Sequence, residues 1–242
     1  MQFRVMSYNT HKCIGSIDRK YNPERIIDTI KYYDPDIVLL QEVDKGVPRS
    51  NHDNQIELLA NRLNFNYHLF QSNVTLKHGS YGNGILSHHP LSHHYNIDLT
   101  VKPKKRRQCL AAQIKIKHQG HVRSFKFFNV HLGLAAYERA IQVSRLVKNP
   151  HVTSNPHNLP IIIGGDFNDL WQNLCRKVLY ANNFTPVLGK TKTFPSMLPS
   201  RALDRIFYQG ELNVINSFAG HTKLARAASD HLPIIADFSV PL

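Results

Sequence analysis

Apolar segments of strand length recur along this 242-residue chain, and each ends on, or starts from, side chains that an apolar sheet has no use for. Phe3 to Asn9 ends in a carboxamide, Asp36 to Glu42 in Gln41-Glu42, Ser124 to His131 in Asn129-Val-His131, and Pro160 to Asp166 in Gly-Gly-Asp. Ala202 to Tyr208 carries Leu203-Asp204, and Ser229-Asp230-His231 leads into Leu232 to Phe238. Runs such as Ile37 to Leu40 and Ile161 to Ile163 are apolar without alternation, which suits strands covered on both faces. The polar ends then lie where loops leave the sheet, the place where ligand sites of α/β proteins gather.

Helical patterns separate these strands. Asn22-Pro23 reads as an N-cap followed by proline at the first helical position, opening a helix through about Tyr33 with Ile26, Ile27 and Ile30 on one face. Asp34-Pro35 ends it. Gln55 to Leu63, Glu138 to Val147 and Asp169 to Ala181 are further helices, and Tyr67 to Ser72, Asn83 to Ser87 and Cys109 to Ile116 further strands. Short connections favour antiparallel or mixed sheets. Without a repeat or a low-complexity linker, residues 1–242 are expected to form one domain.

Composition narrows the partners. Thirty Lys and Arg against 17 Asp and Glu leave a formal charge of +13, which concentrates polyanions near the surface without choosing among nucleic acid, anionic lipid headgroups and phosphorylated small molecules. With 42% hydrophobic and 19% charged residues the chain is far from a disordered composition. No apolar run approaches a membrane span, the start lacks the apolar core of a secretory signal, and three cysteines form no C-x-x-C pair. A monomer in a reducing cytoplasm is the expectation.

The chemistry is narrowed by absences as well. There is no Gly-x-x-x-x-Gly-Lys-Ser/Thr or Gly-x-Gly-x-x-Gly phosphate cradle and no Gly-x-Ser-x-Gly elbow. Four dispersed carboxylates remain, Glu42, Asp166, Asp204 and Asp230, with two carboxamides and two histidines. Such a set suits Mg²⁺, which takes one or two protein carboxylates and completes its shell with water and phosphate oxygens. Calcium would need a denser cage, and zinc a tighter His or Cys pattern.

Together these residues resemble a family. Ser7-Tyr-Asn9, Gln41-Glu42-Val, Gly82-Asn-Gly-Ile-Leu-Ser87, Asn129-Val-His131-Leu, Gly165-Asp-Phe-Asn168, Leu203-Asp204-Arg-Ile and Ser229-Asp-His231 look like the ordered motifs of the endonuclease/exonuclease/phosphatase superfamily. Its members include DNase I, abasic-site endonucleases, neutral sphingomyelinases and inositol-phosphate phosphatases. The resemblance implies an α/β fold of the α+β type: a DNase I-like four-layered sandwich of two packed mixed sheets flanked by helices.

It also implies roles. Glu42 would hold Mg²⁺, with Mn²⁺ able to substitute, Asn9 would help position the metal or the phosphate, and Asp230 would be an auxiliary metal ligand or orienter. Asp166 would orient or deprotonate the attacking water, Asn168 would donate to a phosphate oxygen, and His131 and His231 would contact the scissile phosphate. Asp204 would hold His231 in its working tautomer. Tyr81, Asn83 and Arg107 match places where relatives touch substrate, although a core Tyr and a solvated Arg fit the first and last equally well. Arg107 closes the cationic run Lys102-Pro-Lys-Lys-Arg-Arg107, which would grip a phosphate backbone or an anionic headgroup, or be a solvated hairpin. His88-His89 and His93-His94 suggest a metal only by composition.

The resulting expectation is an Mg²⁺-dependent phosphodiesterase, an endonuclease or exonuclease on nucleic acid first, and otherwise an enzyme of phospholipid headgroups or small phosphorylated metabolites. Abasic-site endonucleases drop in rank, because Asn-Val-His131-Leu-Gly lacks their Tyr and Pro. A catalytically silent nucleic-acid-binding module would lack a catalytic residue, and every one is present.

Overall fold

The computed structural model describes residues 1–118, 120–170 and 174–240. Among them twelve strands form two six-stranded sheets. The first sheet contains β1 (Gln2–Asn9), β2 (Ile37–Lys45), β3 (Tyr67–Thr75), β4 (Ser80–Ser87), β11 (Asn213–Ala219) and β12 (Ile234–Ser239), in the order β11-β12-β1-β2-β4-β3. The second contains β5 (Leu91–Asp98), β6 (Gln108–His118), β7 (His121–His131), β8 (Ile161–Asp166), β9 (Thr185–Pro186) and β10 (Asp204–Gln209), in the order β5-β6-β7-β8-β10-β9.

The sheets pack face to face through Phe3, Val5, Leu39, Ile85 and Phe238 against Leu110, Ile114, Phe125, Phe127 and Ile162. Outside the first sheet lie α1 (Pro23–Tyr33) and α2 (Gln55–Leu63), whose Ile26, Ile30, Ile56 and Leu59 cover Met6, Val38 and Leu40. Outside the second lie α3 (Ala136–Val147), the short α4 (Pro150–Thr153) and α5 (Leu174–Ala181); Val143, Leu146 and Leu179 cover Phe128, Val130 and Ile163. A last helix, α6 (Lys223–Ala228), packs against α1. The result is the expected four-layered, DNase I-like sandwich of mixed sheets. Strands buried on both faces explain the unbroken apolar runs, since neighbours such as Val38 and Leu39 enter different cores.

Each sheet holds one parallel pair. Strands β1 and β2 run parallel with Asn9 opposite Gln41, and β7 and β8 run parallel with His131 opposite Asp166. Antiparallel β10 adds Asp204 opposite Asp166. One end of the sandwich thereby collects the polar termini.

Several elements differ from expectation. Of the helix expected over Asp169 to Ala181, Leu174–Ala181 is helical, Asp169 and Leu170 lie outside any helix, and positions 171–173 lie outside the described residues. The Asp166 carbonyl accepts from the Leu132 N–H and the Phe167 N–H donates to the Leu203 carbonyl, which ties the chain just past β8 to its neighbours and keeps it out of a helix there. Strand β2 runs three residues past Glu42 because it bulges there instead of ending. Strands β5 and β11 and helices α4 and α6 were not anticipated; both strands are edges with mostly exposed or half-buried side chains. No helix among the described residues is long and apolar enough to cross a membrane.

Candidate active site

The site is built on backbone conformations that ordinary residues rarely adopt. Gly165 has φ +148°, and a Cβ there would stand 1.9 Å from the Val130 carbonyl oxygen, so the strand pairing that delivers Asp166 requires glycine. Asn168 (φ 50°) lies in the left-handed region, as does Glu42 (φ 56°) at the β2 bulge between Leu40 and Val43. A left-handed turn of His11, Lys12 and Cys13 (φ 46°, 61° and 59°) follows β1. Each such non-glycine residue costs on the order of 1–3 kcal/mol and persists only where its surroundings hold it. Here the holders are visible: Asn9 Oδ1 accepts from the His11 amide at 3.0 Å, and the Gln55 amide donates to the Lys12 carbonyl at 2.8 Å.

At the centre Asp166 is buried beneath two imidazoles. Its Oδ2 accepts from the Asn9 side-chain amide at 3.0 Å and lies 3.6 Å from His131 Nε2 and 3.8 Å from His231 Nε2. Its Oδ1 accepts from the Asn168 backbone N–H at 2.9 Å. Burial raises the Asp166 carboxyl above its ordinary range against the opposing pull of both histidines. His231 Nδ1 meets Asp204 Oδ2 at 2.8 Å, and the Thr193 hydroxyl donates to the same oxygen. Burial works against the His231 cation, but Asp204 and Asp166 outweigh it and hold its pKa up to about 10. His131 is the opposite case: burial, reinforced by the Arg107 charge, outweighs Asp166 and Glu42 and takes it down to about 4. Two histidines that look alike in sequence thus differ in charge at neutral pH.

Glu42 borders this group, with Oε1 4.0 Å from His131 Nε2. Burial disfavours its carboxylate, yet His131 and Lys12 outweigh burial and bring it down to about 2. The Lys12 ammonium pairs with Glu42 and lies 5.9 Å over the Tyr81 ring, which also carries the Arg49 guanidinium at 5.6 Å. Asp230 presents Oδ1, buried and without a hydrogen bond, 3.8 Å from His11 Nδ1.

Cross-sheet hydrogen bonds fix the two halves against each other. The Asn129 amide donates to the carbonyls of Leu40 and Gly84 at 2.8 Å each, and the Gln41 amide donates to Asn129 Oδ1 at 2.7 Å. On the side of the first sheet, Ser229 Oγ donates to the Asn9 carbonyl at 2.7 Å and accepts from the His231 N–H at 3.2 Å.

Of the residues singled out in the sequence, Asn9, His131, Asp166, Asn168, Asp204 and His231 come together with Glu42 beside them, and Tyr81 joins through Lys12. Arg107 is buried and its charge is felt at His131, while its neighbours in the cationic run are exposed. Asp230 sits at the rim. Asn83 does not join: it is fully buried, and its amide donates to Gln71 Oε1 and the Gln108 carbonyl at 3.2 Å each, a second tie between the sheets. One amide hydrogen of Asn168 is likewise committed, to the Leu132 carbonyl at 3.0 Å. The histidine pairs lie elsewhere: His88 stacks on Phe65, His89 approaches Asp36, and His93 and His94 are exposed on β5. Sequence reasoning missed Lys12 and Thr193. Lys12 lies three residues past Asn9, a signal that could have been used; Thr193 has none, since its link to Asp204 exists only after folding.

The donor set suits a hard divalent cation. It offers ionised carboxylate and carboxamide oxygens, a carboxylate already partnered by an ammonium, and Asp230 Oδ1, which no hydrogen bond engages. Asp166, Asp204 and His231 also offer ligand atoms within 4.8 Å of one another, but His231 Nδ1 is committed to Asp204, which makes that trio a proton-holding group.

A DNase I-like sandwich with carboxylates, carboxamides and imidazoles at one end of two parallel strand pairs defines a phosphoester-hydrolase class. The sequence profile of the Endonuclease/Exonuclease/phosphatase family matches residues 6–231, and the chain belongs to that family. Its members are hydrolases of phosphoester bonds, generally dependent on a divalent metal, and this chain is an enzyme of that class. The uncharacterized protein YbhP of Escherichia coli K12 is 28% identical over 255 residues, spanning 97% of this chain and 95% of YbhP. The human Nocturnin catalytic domain with bound sulfate superposes with TM-score 0.78 at 23% identity, covering 99% of this chain and 95% of that one. A Bacteroides thetaiotaomicron mannosyl-6-phosphatase superposes with TM-score 0.74 at 19% identity, covering 98% and 99%. These two structures share the fold.

Proposed function

We propose that residues 1–242 act as one domain that hydrolyses phosphodiesters with the help of Mg²⁺, for which Mn²⁺ can substitute. The observation that carries this reading is Asp166, which receives the Asn9 amide from the other sheet and faces both imidazoles within 4 Å. Glu42, with Asn9 and Asp230, would hold the cation, which supplies Lewis-acid polarisation of a phosphate oxygen when bound.

The protein's own groups divide the remaining work. Asp166 orients a water molecule and accepts its proton as the oxygen bonds to phosphorus; burial raises the basicity this requires. His231, kept cationic between Asp204 and Asp166, stabilises charge on the phosphoryl oxygens and returns a proton to the ester oxygen that departs. His131, neutral, and the remaining amide hydrogen of Asn168 donate to the phosphate. One P–O ester bond is broken and one is formed to water, giving an alcohol and a phosphomonoester. Arg107 and Tyr81 border the substrate. The charge of +13 admits both nucleic acid and anionic headgroups, and a nuclease remains the first reading on charge alone.

The test offers purified protein bis-p-nitrophenyl phosphate, p-nitrophenyl phosphate, plasmid DNA and RNA with Mg²⁺ or EDTA. Turnover of a diester that EDTA abolishes and that Asp166→Ala lowers by roughly 10³-fold is expected. Turnover indifferent to both treatments would overturn the reading.

A further inference from the structure

The most exposed aliphatic side chains are not scattered. Among the described residues, Leu198, Leu134 and Ile17 are 80%, 75% and 66% exposed, and all three stand on loops around the candidate site. Leu134 is three residues past His131, on a loop anchored by the Leu132 N–H on the Asp166 carbonyl. Leu198 and the half-exposed Met197 follow Ser196, whose N–H donates to the Asp230 carbonyl at 2.8 Å. Ile17 follows Ser16, bonded through Oγ to the Arg226 carbonyl, and Arg226 in turn donates to the Met197 carbonyl at 3.0 Å. Leu170, two residues past Asn168, is also exposed. A free surface has no reason to gather aliphatic groups on the loops that frame a polar cleft.

Positive charge adjoins this rim. Lys102, Lys104, Lys105 and Arg106 are exposed on the loop that leads into buried Arg107, and the Lys104 ammonium lies 5.9 Å over the exposed ring of Tyr137, three residues from Leu134. Aliphatic tips beside lysines, with an aromatic ring between them, match the boundary of an anionic bilayer, where acyl chains lie beneath phosphate headgroups. Single-stranded nucleic acid would favour aromatic stacking platforms along a basic groove, and duplex DNA polar and cationic contacts to its phosphates; exposed leucine and isoleucine serve neither.

We propose that these loops dock the catalytic cleft onto an anionic membrane surface, so that the diesters it meets are lipid headgroup phosphates. The docking itself is independent of the catalytic reading; the headgroup substrate rests on it. Binding is therefore measured in EDTA, by co-sedimentation with vesicles of phosphatidylglycerol and phosphatidylcholine against phosphatidylcholine alone.

Preferential binding to the anionic vesicles is expected. It should weaken with salt and fall at least about tenfold in the double variant Leu134→Glu/Leu198→Glu and in Lys104→Glu/Lys105→Glu. Both variants should keep the wild-type melting temperature, Leu134→Glu/Leu198→Glu should keep Mg²⁺-dependent turnover of soluble bis-p-nitrophenyl phosphate, and Asp166→Ala should bind vesicles like wild type. Equal binding to both vesicle types, or no binding, overturns the proposal. So does a loss confined to the lysine variant, which would mean charge alone, or a leucine variant that loses duplex DNA in place of vesicles. Vesicle binding without turnover of any diester would leave the docking standing and sink the catalytic reading.

Discussion

Two histidines with the same intrinsic chemistry are driven apart by their neighbours: Asp204 pairs with His231, and the Arg107 charge bears on His131. Asp204 Oδ2 takes both the Thr193 hydroxyl and His231 Nδ1, while Oδ1 is buried without a hydrogen bond. Asp204→Asn keeps the shape and one acceptor but removes the negative charge against His231. We expect kcat on bis-p-nitrophenyl phosphate to fall roughly 100-fold with KM little changed, and the melting temperature to fall because the buried His231 cation loses its charged partner. A loss below about threefold in steady-state kinetics would deny His231 its part in the reaction. The sequence made Asp204 and His231 visible as types at strand ends, and the resemblance supplied their roles. It could not show that His131 is held neutral, because the nearby Arg107 and the depth of burial arise from the pairing of β6 with β7 and the packing of both sheets.

At the scale of strands and loops, the sheets are held in register by glycine and by polar ties. Gly165→Ala would place a methyl against the Val130 carbonyl and impose φ +148° on an L residue, so we expect loss of more than about 3 kcal/mol and little soluble protein, read by denaturant titration. Asn129→Ala should cost about 2–4 kcal/mol. It removes the side-chain donor to the Leu40 and Gly84 carbonyls and leaves the Gln41 amide with the Leu39 carbonyl alone, all in a buried interface. A loss under about 1 kcal/mol in urea unfolding would show that water replaces the tie. These features also explain what was legible. Strands β1, β2, β8 and β12, covered on both faces, announce themselves by apolar runs, and α1 by its Asn22 cap, which accepts from the Glu24 N–H at 3.0 Å. Strands β5 and β11 lie at sheet edges with half their surface wet, so their sequences carry no periodicity, and partners distant in the chain decide their structure. The Glu42 bulge is similarly hidden, since its cause is the register of β4.

The whole molecule stores protons as well as apolar surface. Cys13 and Cys109 are fully buried in the helix-facing cores of the first and second sheet, and burial pushes both thiols well above their usual value of 9.0. Asp44 and Asp53 add to the effect at Cys13. The sign follows from proton counting. Above about pH 9 the unfolded chain releases these protons while the folded chain keeps them, so the folded state binds more protons and stability declines as pH rises. Each thiol contributes a slope of about 1.4 kcal/mol per pH unit in that range, and the contribution is fully present below it. Urea unfolding of the wild type and of Cys13→Ala/Cys109→Ala from about pH 8 to 10.5 should therefore give curves that converge. The variant starts lower, for the volume it has lost, but declines less steeply. Parallel curves would mean that the two thiols ionise inside the fold, and hence that water reaches both cores well before the sandwich opens.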